Sequence, residues 1–207
     1  MFKDREEAGE LLAQRIKGKI KGNEIVIGIA NGGVIVAKQI AAKFSLRLFS
    51  IVIKKIPSSI DPELGVGAVA SDGTIYLNKD IIETLSETKE ELNKKINEKI
   101  KEAKEKEKIF GKLPEVKGKR VILIDDGAAT GASVFAAIKS LKKKEAKIIV
   151  ALPVASKEVF EKLKREEVED VVCLIVDEQL TSVGEYYQNF EHVEDEKVLE
   201  ALNQPNQ

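Results

Sequence analysis

The sequence predicts a single α/β domain spanning residues 1–207, built on a doubly wound parallel sheet with an antiparallel hairpin and a small C-terminal hood. Largely apolar runs of strand length recur along the chain, and most are followed by segments whose apolar residues are spaced three or four apart, as in a helix. Strands that are apolar throughout are typical of a parallel sheet with helices on both faces. The chain length also fits one domain better than two.

The N-terminal part is predicted to form a helix, a strand, a second helix and a second strand. Asp4 and Glu7 form a capping pattern ahead of an apolar helical stripe. The first strand, EIVIGI at 24–29, ends in the small-residue segment ANGG at 30–33. An Asn-Gly pair can form a hairpin turn, but the helical spacing that follows favours a tight glycine loop leading into a helix. The second strand is LFSIVI at 48–53.

The middle of the chain is predicted to contain a loop, a hairpin and a charged helix. Turn-forming residues dominate Ser58–Gly67, and alternating apolar residues flank a turn at 71–73. Residues 86–112 are rich in Lys and Glu with a narrow apolar stripe, which predicts a solvated helical insertion with one buried edge. We interpret this helix as structural, and the same stripe is also compatible with a homodimer interface.

The C-terminal part repeats a strand-and-helix pattern. The predicted units are Val121–Ile124 with Ser133–Lys142, Ile148–Leu152 with Ser156–Glu166, and the strand Val171–Val176. Residues 177–207 add no strand and are expected to fold over the edge or top of the sheet as the hood.

Composition excludes several classes of function. The formal net charge is −1 with both signs interspersed, so no cationic surface is expected to bind nucleic acid. The longest apolar runs reach only about ten residues, against about 20 for a membrane span. The N-terminus has no apolar signal core, so we expect a cytoplasmic protein. Cys173 lies in the apolar run VVCLIV and His192 in a polar tail, which argues against a disulfide, a zinc site or a histidine triad.

The stretch RVILIDDGAATGAS at 120–133 has the pattern of a ligand site. Ligands of parallel sheets bind beyond the carboxyl ends of the strands, where loops lead into helix N-termini. Unpaired amides and the helix dipole bind a phosphate there, and small residues let the anion approach the backbone. Thr130 and Ser133 add hydroxyl donors, and Ser133 is a candidate helix cap.

Asp125 and Asp126 need a different ligand from the small-residue loop that follows them. Ionised carboxylates only accept hydrogen bonds, and vicinal sugar hydroxyls donate them. The pattern therefore predicts a ribose 5-phosphate site. The loop lacks the GK[ST] of a nucleotide P-loop, and GVGAVA at 65–70 lacks the preceding strand of a dinucleotide fingerprint. A response-regulator-like acidic pocket or a plain capped turn remains the alternative.

The sequence resembles type I phosphoribosyltransferases, whose signature is an apolar strand, two acids, one or two small residues and T-G-[GAS]-[ST]. VILIDDGAATGAS matches that motif throughout, and FKDREEAGELLA, GIANGGVIVA, DPELGVGAVASDG, LPVAS and VGEYYQNF resemble blocks of a subgroup of predicted phosphoribosyltransferases. The resemblance implies a Rossmann-like fold and transfer from 5-phosphoribosyl 1-pyrophosphate, with Mg²⁺, to a nitrogenous acceptor. Pyrophosphate would leave through an oxocarbenium-like transition state.

The resemblance also implies roles for individual residues. Asp125 and Asp126 would hold the ribose hydroxyls directly or through metal-bound water. The 5-phosphate would be held by Ala128, Ala129, Thr130, Gly131, Ala132 and Ser133, and the small-residue pattern itself adds Gly127 to this loop. The pyrophosphate loop would be Ala30, Asn31, Gly32 and Gly33. Lys54 and Lys55 would neutralise charge on the departing pyrophosphate, although an ordinary solvated strand end explains them equally well.

Two parts of the resemblance are incomplete. The subgroup usually has P-R-G-G where this chain has Ala30-Asn31-Gly32-Gly33, so a cation expected near the pyrophosphate is missing. The acceptor is not identified: Tyr186, Tyr187 and Phe190 are candidates for stacking on a planar base, and packing in the core is the competing interpretation. The 58–67 loop, with Asp61 and Glu63, is a candidate cover for the substrate.

Three functions are compatible with these observations. The first is transfer of the phosphoribosyl group to a nucleobase or an amine. The second is a regulatory protein that binds phosphoribosyl ligands without turnover. The third is a different reaction of the same ligand on the same fold, hydrolysis or phosphate transfer.

Overall fold

The computed structural model describes residues 1–58, 65–78, 82 and 88–203 and confirms the predicted α/β class. Within these ranges seven strands form one sheet: β1 Ile25–Ala30, β2 Arg47–Pro57, β3 Gly65–Ala70, β4 Ile75–Leu77, β5 Arg120–Ile124, β6 Lys147–Ser156 and β7 Asp170–Asp177. The α-helices of the same ranges are α1 Arg5–Ile16, α2 Gly32–Phe44, α3 Lys89–Phe110, α4 Ala132–Lys143, α5 Lys157–Lys164 and α6 Asp195–Asn203.

The sheet order is β4-β3-β2-β1-β5-β6-β7. The five strands from β2 to β7 in this order are parallel, whereas β3 pairs antiparallel with β2 and β4 antiparallel with β3. In the centre, Gly28 of β1 aligns with Ser50 of β2 and with Ile124 of β5. The loops that leave β1 and β5 therefore emerge side by side at one edge of the sheet.

Helices cover both faces of the sheet, as the apolar strands predict. On one face α1 and α2 pack on β5, with Leu12, Ile40 and Ile122 fully buried. On the other face α4 and α5 pack around Leu123. Burying a large aliphatic side chain of this kind contributes about 1.5–3 kcal/mol. This double cover makes the edge that carries the β1 and β5 loops a stable frame for a site.

The hairpin is a continuation of the sheet. β2 runs on to Pro57, beyond the end at Ile53 that its apolar run predicts, and its second half pairs with β3. The turn at 71–73 is confirmed between β3 and β4. Residues 59–64 of the expected covering loop, with Asp61 and Glu63, lie outside the described residues.

The charged helix and the hood flank the sheet. α3 begins after Thr88, whose side chain and that of Glu91 form a reciprocal capping box; residues 86 and 87 of the predicted span lie outside the described residues. The hood contains a 3-10 helix, Val183–Tyr186, and α6, which packs against α2 and α3. The sequence reasoning did not predict α6, although its buried Val198 and Ala201 have helical spacing. None of the described helices is both long and apolar enough to cross a bilayer.

Candidate functional site

A cavity of about 600 Å³ opens at the carboxyl ends of β1, β2 and β5. It lies between the β1–α2 loop, the β5–α4 loop and the segment after β7, which is where a parallel sheet binds its ligands. The lining residues are Arg5, Ile29, Ala30, Asn31, Gly32, Ile53, Lys55, Asp125, Asp126, Gly127, Ala128, Ala129, Thr130, Gly131, Ala132, Ser133, Val134, Thr181, Ser182, Val183, Gly184 and Phe190. The structure thus brings together most of the site residues predicted from the sequence, except Gly33, Lys54, Tyr186 and Tyr187.

The loop from Gly127 to Gly131 has the geometry of an anion cradle at the start of α4. Gly131 adopts φ +71°, and an added Cβ would lie 2.8 Å from the Phe135 ring, so glycine is required at this turn. Gly131 also occupies the N-cap, and no side chain caps the helix. The expected capping by Ser133 is therefore wrong, because α4 begins at Ala132. The first amides of α4 have no partner within the helix and are available to an anion.

One amide of this loop serves the fold instead of a ligand. The N–H of Ala128 donates to the carbonyl of Val154 at 2.9 Å, and the Ala128 carbonyl accepts from Ser156 at 3.0 Å. The Ser156 hydroxyl also donates to the carbonyl of Ala129 at 2.9 Å. These bonds hold the loop against β6 and occupy the Ala128 amide, which is therefore not free to bind an anion.

The two aspartates have different surroundings. Asp125 accepts the backbone N–H of Asp126 at Oδ1, 2.9 Å away. Burial, followed by the neighbouring charge of Asp126, raises the pKa of Asp125 well above its ordinary value, while Lys55 acts in the opposite direction. The Asp126 carboxylate accepts from Nε of Arg5 at 2.7 Å. One acid of the pair is therefore ion-paired, and both still line the cavity.

Arg5 is a site residue that the sequence reasoning missed. Its guanidinium lies 3.8 Å from the centre of the Phe190 ring and donates to the carbonyl of Glu191 at 2.9 Å. Only 9% of the residue is exposed. The available signal was its helical position, since Arg5 shares the buried face of α1 with Ala8 and Leu12. An arginine on an apolar helix face indicates a buried partner.

The β1–α2 loop reaches the acids because two of its residues lack a side chain. A Cβ on Gly33 would lie 2.7 Å from the carbonyl oxygen of Ile124, and one on Gly32 would lie 2.0 Å from Oδ2 of Asp126. The peptide bond between Ala30 and Asn31 is cis. The Asn31 amide donates to the Val193 carbonyl at 2.7 Å and to Asp195 at 2.9 Å, so its side chain holds the hood in place.

The two lysines near the end of β2 point to opposite sides of the strand. Lys55 lines the cavity, whereas Lys54 lines a separate surface groove with Lys106 and Asp195. Burial, followed by the charge of Lys106, lowers the pKa of Lys54. Of the predicted lysine pair, the structure brings only Lys55 to the acids.

Neither predicted tyrosine lines the cavity. Tyr187 is 5% exposed, packs on Phe2 and donates from Oη to the backbone carbonyl of Asp126 at 2.6 Å. Burial, followed by the charge of Asp126, raises the pKa of Tyr187 above its ordinary value. The Tyr186 hydroxyl donates to Asp177. Tyr187 thus contacts the backbone of the acid pair and not the cavity, and Phe190 is the aromatic residue among those that line the cavity.

Comparisons with known families and with curated sequences both match this chain to phosphoribosyl transferases. A model described as the phosphoribosyl transferase domain matches residues 3–189. A curated protein of Mycobacterium tuberculosis, whose name gives it only provisionally as a phosphoribosyl transferase, is 28% identical over 209 residues, covering 98% of this chain and 46% of that protein. The chain spans about half the length of the curated relatives it matches.

Solved structures share the fold. The crystal structure of the protein TT1426 from Thermus thermophilus aligns with a TM-score of 0.76 at 32% identity, covering 97% of each chain. A purine phosphoribosyltransferase from Pyrococcus horikoshii aligns over 92% of each chain with a TM-score of 0.50 at 18% identity, which shows a common fold.

Proposed function

The chain belongs to the phosphoribosyl transferase family, and from this premise we propose that it transfers the 5-phosphoribosyl group from 5-phosphoribosyl 1-pyrophosphate to a nitrogenous acceptor, a nucleobase or an amine. The observation that carries the proposal is one cavity that contains both an acid pair and an amide loop at a helix N-terminus. Carboxylates accept from sugar hydroxyls, and the amide loop suits a phosphate. A phosphorylated pentose presents both groups at once.

The donor sugar is proposed to bind with its 5-phosphate in the loop from Ala129 to Ser133. Asp125 and Asp126 then accept hydrogen bonds from the ribose hydroxyls. The Tyr187 hydroxyl donates to the backbone carbonyl of Asp126, and Nε of Arg5 donates to its carboxylate. This support keeps the acid at one position, as a site that orients a reacting sugar requires.

The pyrophosphate is proposed to bind at Gly32 and Gly33, with Lys55 beside it. Transfer breaks the bond between the anomeric carbon and the pyrophosphate oxygen, whose electron pair leaves with the pyrophosphate. The nitrogen lone pair of the acceptor forms the new bond, and the acceptor loses a proton. The positive charge of Lys55 stabilises the leaving group, and the two carboxylates stabilise positive charge on the sugar ring.

The acid pair fits a magnesium ion carried by the substrate. Mg²⁺ is commonly held by one or two carboxylates, with water and substrate phosphates completing its coordination. Asp125 and Asp126 supply such a pair on the cavity wall. Nowhere in the described ranges are three or more Asp, Glu, His or Cys side chains grouped so as to hold a metal ion. When bound, the ion would neutralise pyrophosphate charge, and Asp125 and Asp126 would hold it through water molecules.

The acceptor is proposed to enter beside the hood. Thr181–Gly184 and Phe190 border the cavity there. The Phe190 ring already contacts Arg5 on one side and lies close to Gly184, where an added Cβ would be 3.0 Å from the ring. These contacts fix the ring as a wall of the acceptor space.

The test is release of pyrophosphate from 5-phosphoribosyl 1-pyrophosphate and Mg²⁺ in the presence of single nucleobases and amines. Release that requires one particular acceptor supports transfer. Binding measured by calorimetry without turnover for any acceptor would instead indicate a regulatory protein, and free ribose 5-phosphate would indicate hydrolysis. The variant that carries both Asp125→Asn and Asp126→Asn is the control. It should abolish the pyrophosphate release that occurs at this site.

A further inference from the structure

The proposed pyrophosphate loop supplies no positive charge of its own. Residues 30–33 are Ala, Asn, Gly and Gly, and the Asn31 amide is already bonded to Val193 and Asp195. A departing pyrophosphate carries several negative charges, and backbone amides alone offset them weakly compared with a cation. A cationic side chain close to this loop therefore comes from another part of the chain, as Lys55 does.

Arg5 brings a cation to this loop from the first turn of α1. A Cβ built on Gly32 would lie 2.8 Å from Nε of Arg5, so the guanidinium lies directly against the backbone of the loop. Among the residues that line the cavity, the positively charged ones are Arg5 and Lys55. Arg5 therefore lies beside both Asp126 and the loop.

The guanidinium is held in a fixed orientation. It donates to Asp126 at 2.7 Å and to the Glu191 carbonyl at 2.9 Å, and it stacks on Phe190 at 3.8 Å. These partners come from the end of β5 and from the hood, so two segments distant in the chain fix one side chain. A guanidinium has five N–H donors, and the contacts to Asp126 and Glu191 use two of them. The remaining donors suit the bidentate binding of a phosphate.

We propose that Arg5 binds the pyrophosphate group of the donor and stabilises its charge as it leaves, in place of the cation missing at position 31. This inference rests on the proposed function, because it takes 5-phosphoribosyl 1-pyrophosphate as the donor. The ion pair between Arg5 and Asp126 orients the guanidinium, and it links the pyrophosphate end of the cavity to the ribose end. The competing explanation is that Arg5 only fastens α1 and the hood to β5.

The experiment compares two ligands that differ in the pyrophosphate. The affinities of 5-phosphoribosyl 1-pyrophosphate with Mg²⁺ and of ribose 5-phosphate are measured by calorimetry for the wild type, Arg5→Gln and Arg5→Lys. Arg15→Gln is the matched control, because Arg15 is an exposed residue in the last turn of the same helix. Circular dichroism checks that each variant is folded.

Arg5→Gln is expected to lower the ratio of the two affinities by about tenfold, because a charged bidentate donor to the pyrophosphate is lost. Arg5→Lys is expected to lower it by about threefold, since charge is kept without the planar fork. Arg15→Gln should leave the ratio unchanged. Equal losses for both ligands, or no loss for either, would overturn the proposal.

The outcome for the wild type separates this inference from the proposed function. A wild type that does not bind 5-phosphoribosyl 1-pyrophosphate refutes the proposed function itself. A wild type that binds it, with an unchanged ratio in the Arg5 variants, refutes only the role of Arg5. If Arg5→Gln does not fold, the ratio in Arg5→Lys decides, and an unchanged ratio there refutes the role.

Discussion

Nε of Arg5 donates to Oδ2 of Asp126 across 2.7 Å, which joins the first turn of α1 to the end of β5. The side chains are only 10% and 16% exposed, so the pair is shielded from solvent. Removing one partner from a buried pair leaves the other charge without compensation, which is costly. This contact therefore holds the acid pair to the first turn of α1, next to the loop at residues 30–33.

Asp126→Asn is expected to weaken binding of ribose 5-phosphate by about tenfold or more, because an amide oxygen accepts less strongly than a carboxylate. Calorimetry measures the loss. The matched control is Asp170→Asn, which changes an acid paired with Lys19 at the surface and should leave the affinity unaltered. Unchanged affinity in the Asp126 variant would remove this acid from the ribose site.

Gly32→Ala is expected to lower chiefly the affinity for the ligand, and Gly33→Ala chiefly the stability of the fold. At Gly32 a Cβ would lie against the carboxylate of Asp126 and Nε of Arg5, so the substitution should displace this ion pair and lower the affinity for 5-phosphoribosyl 1-pyrophosphate. At Gly33 the obstacles are the backbone atoms of Ile124 and Asp125, and the loss of stability should reach about 1–3 kcal/mol.

Urea unfolding and calorimetry distinguish the two glycine variants. Gly18→Ala is the control, because an added Cβ there meets nothing within 4 Å. A Gly32→Ala protein with full affinity would contradict the close approach of the loop to the acid pair.

Lys55→Gln is expected to reduce the affinity for 5-phosphoribosyl 1-pyrophosphate by about tenfold, through loss of a cation at the cavity. Lys54→Gln is the comparison, and its effect should be much smaller because Lys54 lies in the other groove. The same calorimetric titration serves both variants. Equal losses would show that the two lysines act on the ligand together.

Asp72→Ala is expected to lower the free energy of unfolding by about 1 kcal/mol at pH 7, a modest value because the site is at the surface. Burial disfavours the charged form of Asp72, but hydrogen bonds from Lys144, Ser140 and Thr74 outweigh it and hold the pKa below the ordinary 3.8. A depressed pKa in the folded state means stabilisation that is present above 3.8 and lost as the pH falls through the folded-state value.

Urea unfolding of the wild type and the Asp72 variant between pH 7 and pH 3 measures this dependence. The difference in unfolding free energy should shrink as the pH falls below the ordinary pKa of the carboxyl. Ser140→Ala removes one donor to Asp72 and should give a smaller effect of the same sign. A difference that stays constant with pH would show that the carboxylate charge is not its source.

Cys173 is expected to react slowly with a thiol reagent at pH 8 in the folded protein. Burial raises the pKa of its thiol from 9.0 to about 11, and Sγ donates to the Ile175 carbonyl at 3.0 Å. Two units of pKa leave about a hundredfold less thiolate. The rate should rise in denaturant, and Cys173→Ala should bind the donor normally. Fast reaction of the folded protein would contradict a packing role.

The elements of the fold could be predicted from local patterns. Apolar runs marked the parallel strands, helical spacing marked α2 and α4, and the turn at 71–73 marked the hairpin. The acid pair and the glycine-rich loop were recognisable for the same reason, because each depends on residues adjacent in the chain. The opposite faces of Lys54 and Lys55 also follow from the two-residue period of a strand, and the sequence reasoning missed them by ending β2 at Ile53.

The sequence by itself determined the sheet, its helices and the loop that meets the acids, since strand and helix periodicity and small-residue turns are properties of neighbouring residues. Only the tertiary structure decided that Arg5 reaches Asp126, that Tyr187 supports the acid from behind and that Asn31 is bonded to the hood. Each of these contacts joins segments more than sixty residues apart. Such contacts depend on how the whole chain packs, and no local pattern encodes which distant partner a buried polar group will find.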